Sequence, residues 1–137
     1  MVLKAGDLIE GYPYLWLRQS RAGETEGRKP RPVCVAIAVK GEDNKTHLAL
    51  LPISSQPPTA NQTAITIPER ERQRLGLDAD KQAWIYVSEY NYDVLGESYY
   101  LPAKRNSVRS VSVPILKELL SAFRLTLQKK AGRVSRR

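Results

Sequence analysis

The chain has 137 residues and carries 22 Lys and Arg against 14 Asp and Glu, a net charge of +8; this suits one domain with a modest core and gives reason to consider a polyanionic partner. The single cysteine, Cys34, and single histidine, His47, exclude an intramolecular disulfide, a Cys-rich zinc site, an iron–sulfur cluster and a two-histidine ribonuclease mechanism. No run reaches the roughly 18 apolar residues of a membrane span, so no membrane partner is expected, and a lone thiol suits a reducing cytoplasm.

The charge is unevenly placed. Residues 1–101 hold 12 bases and 13 acids, whereas residues 102–137 hold 10 bases and one acid, Glu118. In chain order, the apolar and aromatic run Leu8 to Leu17, interrupted by Gly11 and Pro13, predicts a bent or bulged strand. Its alternating Tyr12, Tyr14 and Trp16 should share one inward face. Arg18 to Lys29 is polar and reads as a mobile loop. Val33 to Val39 and Thr46 to Ile53, joined by a turn at residues 41–44, form a hairpin. Cys34, between two valines, belongs in the core.

Pro57 and Pro58 end any ladder, so 54–62 is a loop. Thr63 to Ile67 is a short strand, and Pro68 opens a helix that Gly76 stops. Glu69 with Arg72 and Glu71 with Arg74 give that helix a solvated charged face. Ala83 to Tyr90 is the next strand, followed by an irregular Tyr-rich stretch to Leu101. Ser107 to Val113 reads as a last short strand. From Pro114, Ile115, Leu119, Phe123 and Leu127 recur every four residues on an amphipathic helix. Residues 131–137 show no pattern and are expected to be a basic flexible tail after a single domain spanning 1–130. Short strands joined by hairpins, one short internal helix and one long terminal helix predict a small twisted barrel of the α+β class. Nothing matches a phosphate-binding glycine motif.

Lys4-Ala5-Gly6-Asp7-Leu8-Ile9, a polar loop with Glu24, Glu26 and Gly27, Arg31-Pro32-Val33 opening an apolar strand, and Leu50-Leu51-Pro52-Ile53-Ser54 after the hairpin follow one another in an order that resembles the MazF/PemK family of toxin endoribonucleases. The resemblance covers about residues 4–125. It implies a Src-homology-3-like barrel that forms a homodimer, cleaves single-stranded RNA by attack of the ribose 2′-OH without a metal or other cofactor, and is neutralised by a cognate antitoxin protein. Such cleavage needs a base for the 2′-OH proton, a cation at the phosphorane and a donor to a non-bridging oxygen.

By resemblance, the family's phosphate-binding Arg and Thr fall on Arg31 and Ser54; a guanidinium suits the role through its planar fork of donors and permanent charge. Ser54 keeps the hydroxyl without the stiff β-branch of Thr. A later-strand carboxylate that some members use falls on Glu89, while the arginine two residues before it is replaced by Val87. Glu24, in the loop, is a further catalytic candidate. Candidates for RNA binding are Ser55 and Gln56 beside the hydroxyl, Tyr90 as a stacking face, and Arg124, Lys129 and Lys130 at the basic end. Trp84, Tyr86, Tyr92, Tyr99 and Tyr100 are further aromatics that could stack bases or fill the core. An alternative from a different class is a non-catalytic barrel that binds nucleic acid or a protein partner.

Overall fold

The computed structural model describes residues 3–78, 80–97, 101 and 109–137. The expected Tyr99, Tyr100 and the start of the Ser107 to Val113 strand lie outside them. Two long strands organise the rest, β2 (Arg31–Lys40) and β3 (Thr46–Ser54), paired antiparallel from Val33 opposite Pro52 to Lys40 opposite Thr46. Their runs are almost wholly apolar because both faces are buried. Val33, Val35, Leu48 and Leu50 join one core cluster, while Cys34, Ala36, Ala49, Leu51 and Ile53 join the other.

β1 (Leu8–Tyr12) pairs antiparallel with β2 and shifts register between Ile9 and Tyr12, the bulge that Gly11 suggested. On its far edge β3 is shared. His47 to Leu50 pair with β6 (Tyr90–Val94), and Ile53 and Ser54 pair with β5 (Trp84–Tyr86), which in turn pairs with β4 (Ala64–Thr66). A last strand, β7 (Arg133–Ser135), lies parallel to β6. Among the described residues this is an α+β architecture with seven strands and three helices, α1 (Leu17–Arg21), α2 (Glu69–Leu75) and α3 (Val113–Lys129), and the sheet's ladders form an open path. No described helix is long and apolar enough to cross a membrane.

α2 ends on Gly76 in the left-handed conformation, as its sequence predicts. Its acidic face is not wholly solvated, however. Glu71 is buried and pairs with Arg74, whose guanidinium also donates to the Ser110 carbonyl. α3 lays Ile115, Leu119 and Phe123 against the sheet, but its fourth inward residue is Thr126 and not Leu127. Four-residue steps overshoot a 3.6-residue turn, so by the third step Leu127 has rotated toward solvent and a three-residue step restores the face. The Thr126 hydroxyl donates to the Val87 carbonyl.

Three expectations are corrected. Leu17–Arg21 is a helix and not loop; it lacks an Asp, Asn, Ser or Thr cap, and Gln19 supplies the acceptor for the Trp16 N–H at 3.3 Å instead. Tyr90–Val94 is a strand whose inward residues are polar. Asn91 and Asp93 are fully buried, which inverts the alternation used to recognise strands. Residues 131–137 are not a free tail. Val134 is buried, Arg136 donates to the Pro13 carbonyl at 2.6 Å, and Arg137 pairs with Glu97 at 2.9 Å. Gly132 lets this strand close in: with φ +82°, a Cβ there would stand 2.5 Å from the Ser88 carbonyl oxygen.

Deleting residues 131–137 should therefore lower the unfolding free energy by roughly 2–4 kcal/mol through the lost Val134 burial and the lost hydrogen bonds. Urea denaturation measures this. An unchanged midpoint would return the segment to the status of a free tail.

Candidate active site

The segment from Pro13 to Leu17 crosses one face of the sheet without a ladder partner, and two buried side chains of the strand region opposite satisfy it. The Leu15 N–H donates to Asn91 Oδ1 at 2.9 Å and Asn91 Nδ2 donates to the Leu15 carbonyl at 2.8 Å. The Leu17 N–H and the Tyr14 hydroxyl both donate to Glu89 Oε2, at 2.8 and 3.1 Å. This anchoring sets Trp16 beside Tyr14 and Tyr86, each in an edge-to-face contact at 5.2 and 5.0 Å, and it launches α1 over the sheet.

Between α1, the 54–62 loop and the strand end at Glu89 lies a cleft of about 680 Å³. Arg18 and Arg21 from α1, Arg31 at the start of β2, Ser54 and Gln56 after β3, and Tyr86, Ser88 and Glu89 line it. A second cleft of about 280 Å³ adjoins it, sharing Arg31 and Ser54 and adding Lys29, Ser55 and Lys81 together with one carboxylate, Asp78. Arg31 and Ser54 thus stand where two hollows with an excess of basic side chains meet.

Arg31 is held by stacking more than by acceptors. Its guanidinium carbon lies 5.2 Å from the Trp16 ring centre; among the described residues its guanidinium makes one hydrogen bond, a long 3.5 Å contact to the Ile53 carbonyl, and its Nε–H is buried without an acceptor. Arg18 sits on the same indole at 5.3 Å. Among the described residues, neither arginine nor Arg21 has a carboxylate within 4.0 Å. Burial, and then the like charge of Arg18, pull the Arg31 pKa down, although a guanidinium stays protonated.

Glu89 is 4% exposed and, among the described residues, is the only carboxylate lining the larger cleft. Burial raises its pKa above the ordinary carboxyl range; bonds from Leu17 and Tyr14, the charge of Arg18 and a bond from Gln62 offset only part of that. Burial and the neighbouring Glu89 charge raise Tyr14 far above an ordinary phenol. The Ser54 Oγ accepts the Gln56 N–H at 3.1 Å, a local turn that fixes its oxygen while leaving its proton to donate. The Tyr86 hydroxyl donates to the Gln56 carbonyl and so braces the same turn.

Of the residues singled out from sequence, the fold brings together Arg31, Ser54, Gln56 and Glu89, with Ser55 on the adjoining hollow. It does not bring the others. Glu24 pairs with Arg28 at 2.7 Å and does not line either cleft. Tyr90 packs edge-on against Phe123, on the α3 side of the sheet. Arg124, Lys129 and Lys130 belong to α3 and its end and line neither cleft. Val87 is buried in the core under α3. Sequence reasoning missed Arg18 and Arg21. Their i,i+3 spacing, which puts both on one face of a helical turn, was the available signal. Compared with models of known protein families and with curated proteins, the sequence matches none.

Between the ordinary carboxyl range and the raised value of Glu89, the folded protein retains a proton that the unfolded chain has released, so stability falls as pH rises through that window. In Glu89→Gln, an isosteric amide oxygen still accepts from Tyr14 and Leu17, and the decline should disappear. Urea midpoints taken from about pH 4 to about pH 8 test this. A decline that persists in the variant would assign it to another group.

Proposed function

We propose that the chain is a MazF/PemK-like endoribonuclease, the toxin of a toxin–antitoxin pair, with its sheet serving as the family's Src-homology-3-like barrel. The observation that carries this reading is the convergence of Arg31, Ser54 and Glu89, distant in sequence, on one cleft whose arginines have no carboxylate within 4.0 Å among the described residues. The same reading brings a cytoplasmic setting, a second copy of the chain and a protein antitoxin as expected partners.

In the reaction, the ribose 2′-oxygen attacks the adjacent phosphorus as Glu89 takes its proton. The P–O2′ bond forms, the P–O5′ bond breaks, and the departing 5′-oxygen takes a proton from water. The products are a 2′,3′-cyclic phosphate and a 5′-hydroxyl. Glu89 suits the base because it is the sole carboxylate of the larger cleft among the described residues and burial raises its pKa. Arg31 offers charge to the phosphorane, and the Ser54 hydroxyl donates to a non-bridging oxygen. No step here calls on a metal ion.

One observation favours a second reading, a non-catalytic RNA-binding module. Glu89 already accepts bonds from Tyr14 and Leu17, so its carboxylate has a structural task whether or not it moves protons.

Purified chain incubated with a mixed-sequence single-stranded RNA in the presence of EDTA should give fragments with cyclic-phosphate and 5′-hydroxyl ends. Arg31→Ala should slow cleavage by about 100-fold or more with an unchanged far-ultraviolet spectrum. RNA bound but left intact would support the module; RNA neither bound nor cut would end both readings.

A further inference from the structure

The step at the phosphate asks for more charge than Arg31 alone supplies. A phosphodiester carries one negative charge, and the phosphorane develops a second. The resemblance places another cation two residues before the carboxylate, but in this chain that position is Val87, which is 1% exposed, packs under α3, and has its carbonyl bonded by Thr126. No cation can enter the cleft from there.

α1 provides one from a different direction. The helix begins at Leu17, whose N–H is held by Glu89, so Arg18 follows directly on the residue that the carboxylate anchors. Its guanidinium and that of Arg31 both lie within 5.3 Å of the centre of the same Trp16 ring. The ring is buried and held edge-on by Tyr14 and Tyr86, making a fixed platform. Two like charges on one indole, with no carboxylate within 4.0 Å of either among the described residues, repel each other until an anion enters. The anion that relieves this best carries two charges. The Arg18 charge also acts on Arg31, Tyr86 and Glu89.

We propose that Arg18 is a catalytic residue, the second cation at the phosphorane, taking the place of the arginine that Val87 lacks. This rests on the endoribonuclease reading above. Its consequence is differential binding. A pair of guanidiniums matches the doubly charged transition state better than the singly charged ground state, so Arg18 acts on the rate more than on affinity.

Single-turnover cleavage of a single-stranded RNA, read beside the affinity for the same oligonucleotide with 2′-O-methyl groups that cannot attack, tests the proposal. Arg18→Ala should cut the rate by about 100-fold and weaken binding of the methylated strand by less than about tenfold. Arg18→Lys should recover part of the rate. Lys117→Ala, which removes one charge from the exposed side of α3, should change neither quantity. Equal losses in rate and affinity would reduce Arg18 to a strand-holding contact and overturn the proposal, as would an unchanged rate, while leaving the endoribonuclease reading in place. A wild-type chain that cuts no RNA would instead overturn that reading, and the role of Arg18 with it.

Discussion

The chain between β1 and α1 cannot belong to a ladder, because Pro13 has no N–H to give and the neighbouring strand edges are already paired. Buried backbone groups left without partners would each cost about 1–3 kcal/mol. Asn91 and Glu89 remove that cost by acting as a substitute strand edge, one taking both polar groups of Leu15 and the other taking the Leu17 N–H. Everything at the cleft depends on this exchange. It fixes the height of Trp16 over the sheet, the starting point of α1 and the position of the Glu89 carboxylate itself. It also explains why β6 carries polar residues inward. Asp93 extends the pattern by accepting the Tyr12 hydroxyl at 2.9 Å, so the strand opposite the aromatic segment is polar wherever that segment has donors to place.

The elements legible in the sequence were those whose inward positions are apolar. The β2–β3 hairpin could be read because both of its faces are buried, and α2 because Pro68 and Gly76 bracket it. α3 followed its apolar stripe up to the point where a strict four-residue period drifts off the face. What escaped was stabilised by polar contacts between distant residues. β6 is recognisable only once its partners at Tyr12 and Leu15 are known, α1 only once Gln19 is seen to cap it, and β7 only once a parallel partner is available to a three-residue strand. The candidate site divides the same way. Arg31, Ser54 and Glu89 lie on or beside elements readable from pattern, whereas Arg18 and Arg21 belong to a helix that the pattern concealed. The basic residues near the C-terminus were misleading for a related reason: Arg136 and Arg137 spend their donors fastening β7, on Pro13 and Glu97.

That division also changes what the net charge means. The excess of positive charge over the whole chain lies in the last 36 residues, 102–137, yet the cleft draws its arginines from residues 18–31, which hold five bases against two acids. Glu24 is neutralised by Arg28, leaving the three cleft arginines without such partners among the described residues. A local excess of arginine, kept available because Arg28 takes up Glu24, and not the overall pI, gives the cleft its sign.

Holding an unpaired guanidinium in place is a physical problem of its own. A carboxylate would orient it well but would cancel the charge a substrate needs and would compete for the same donors. An aromatic face orients it through the ring quadrupole, worth about 0.5–2 kcal/mol, and leaves the N–H fork and the full charge available. Trp16 does this for two arginines at once, and its ring can serve as a rigid support because Tyr14 and Tyr86 clamp its edges. Tyr14 in turn is oriented by its bond to Glu89. The carboxylate and the cations are therefore not independent parts. Moving Glu89 would loosen Tyr14, then the indole, then both guanidiniums, which makes the buried carboxylate the point through which the geometry of the whole cleft is set.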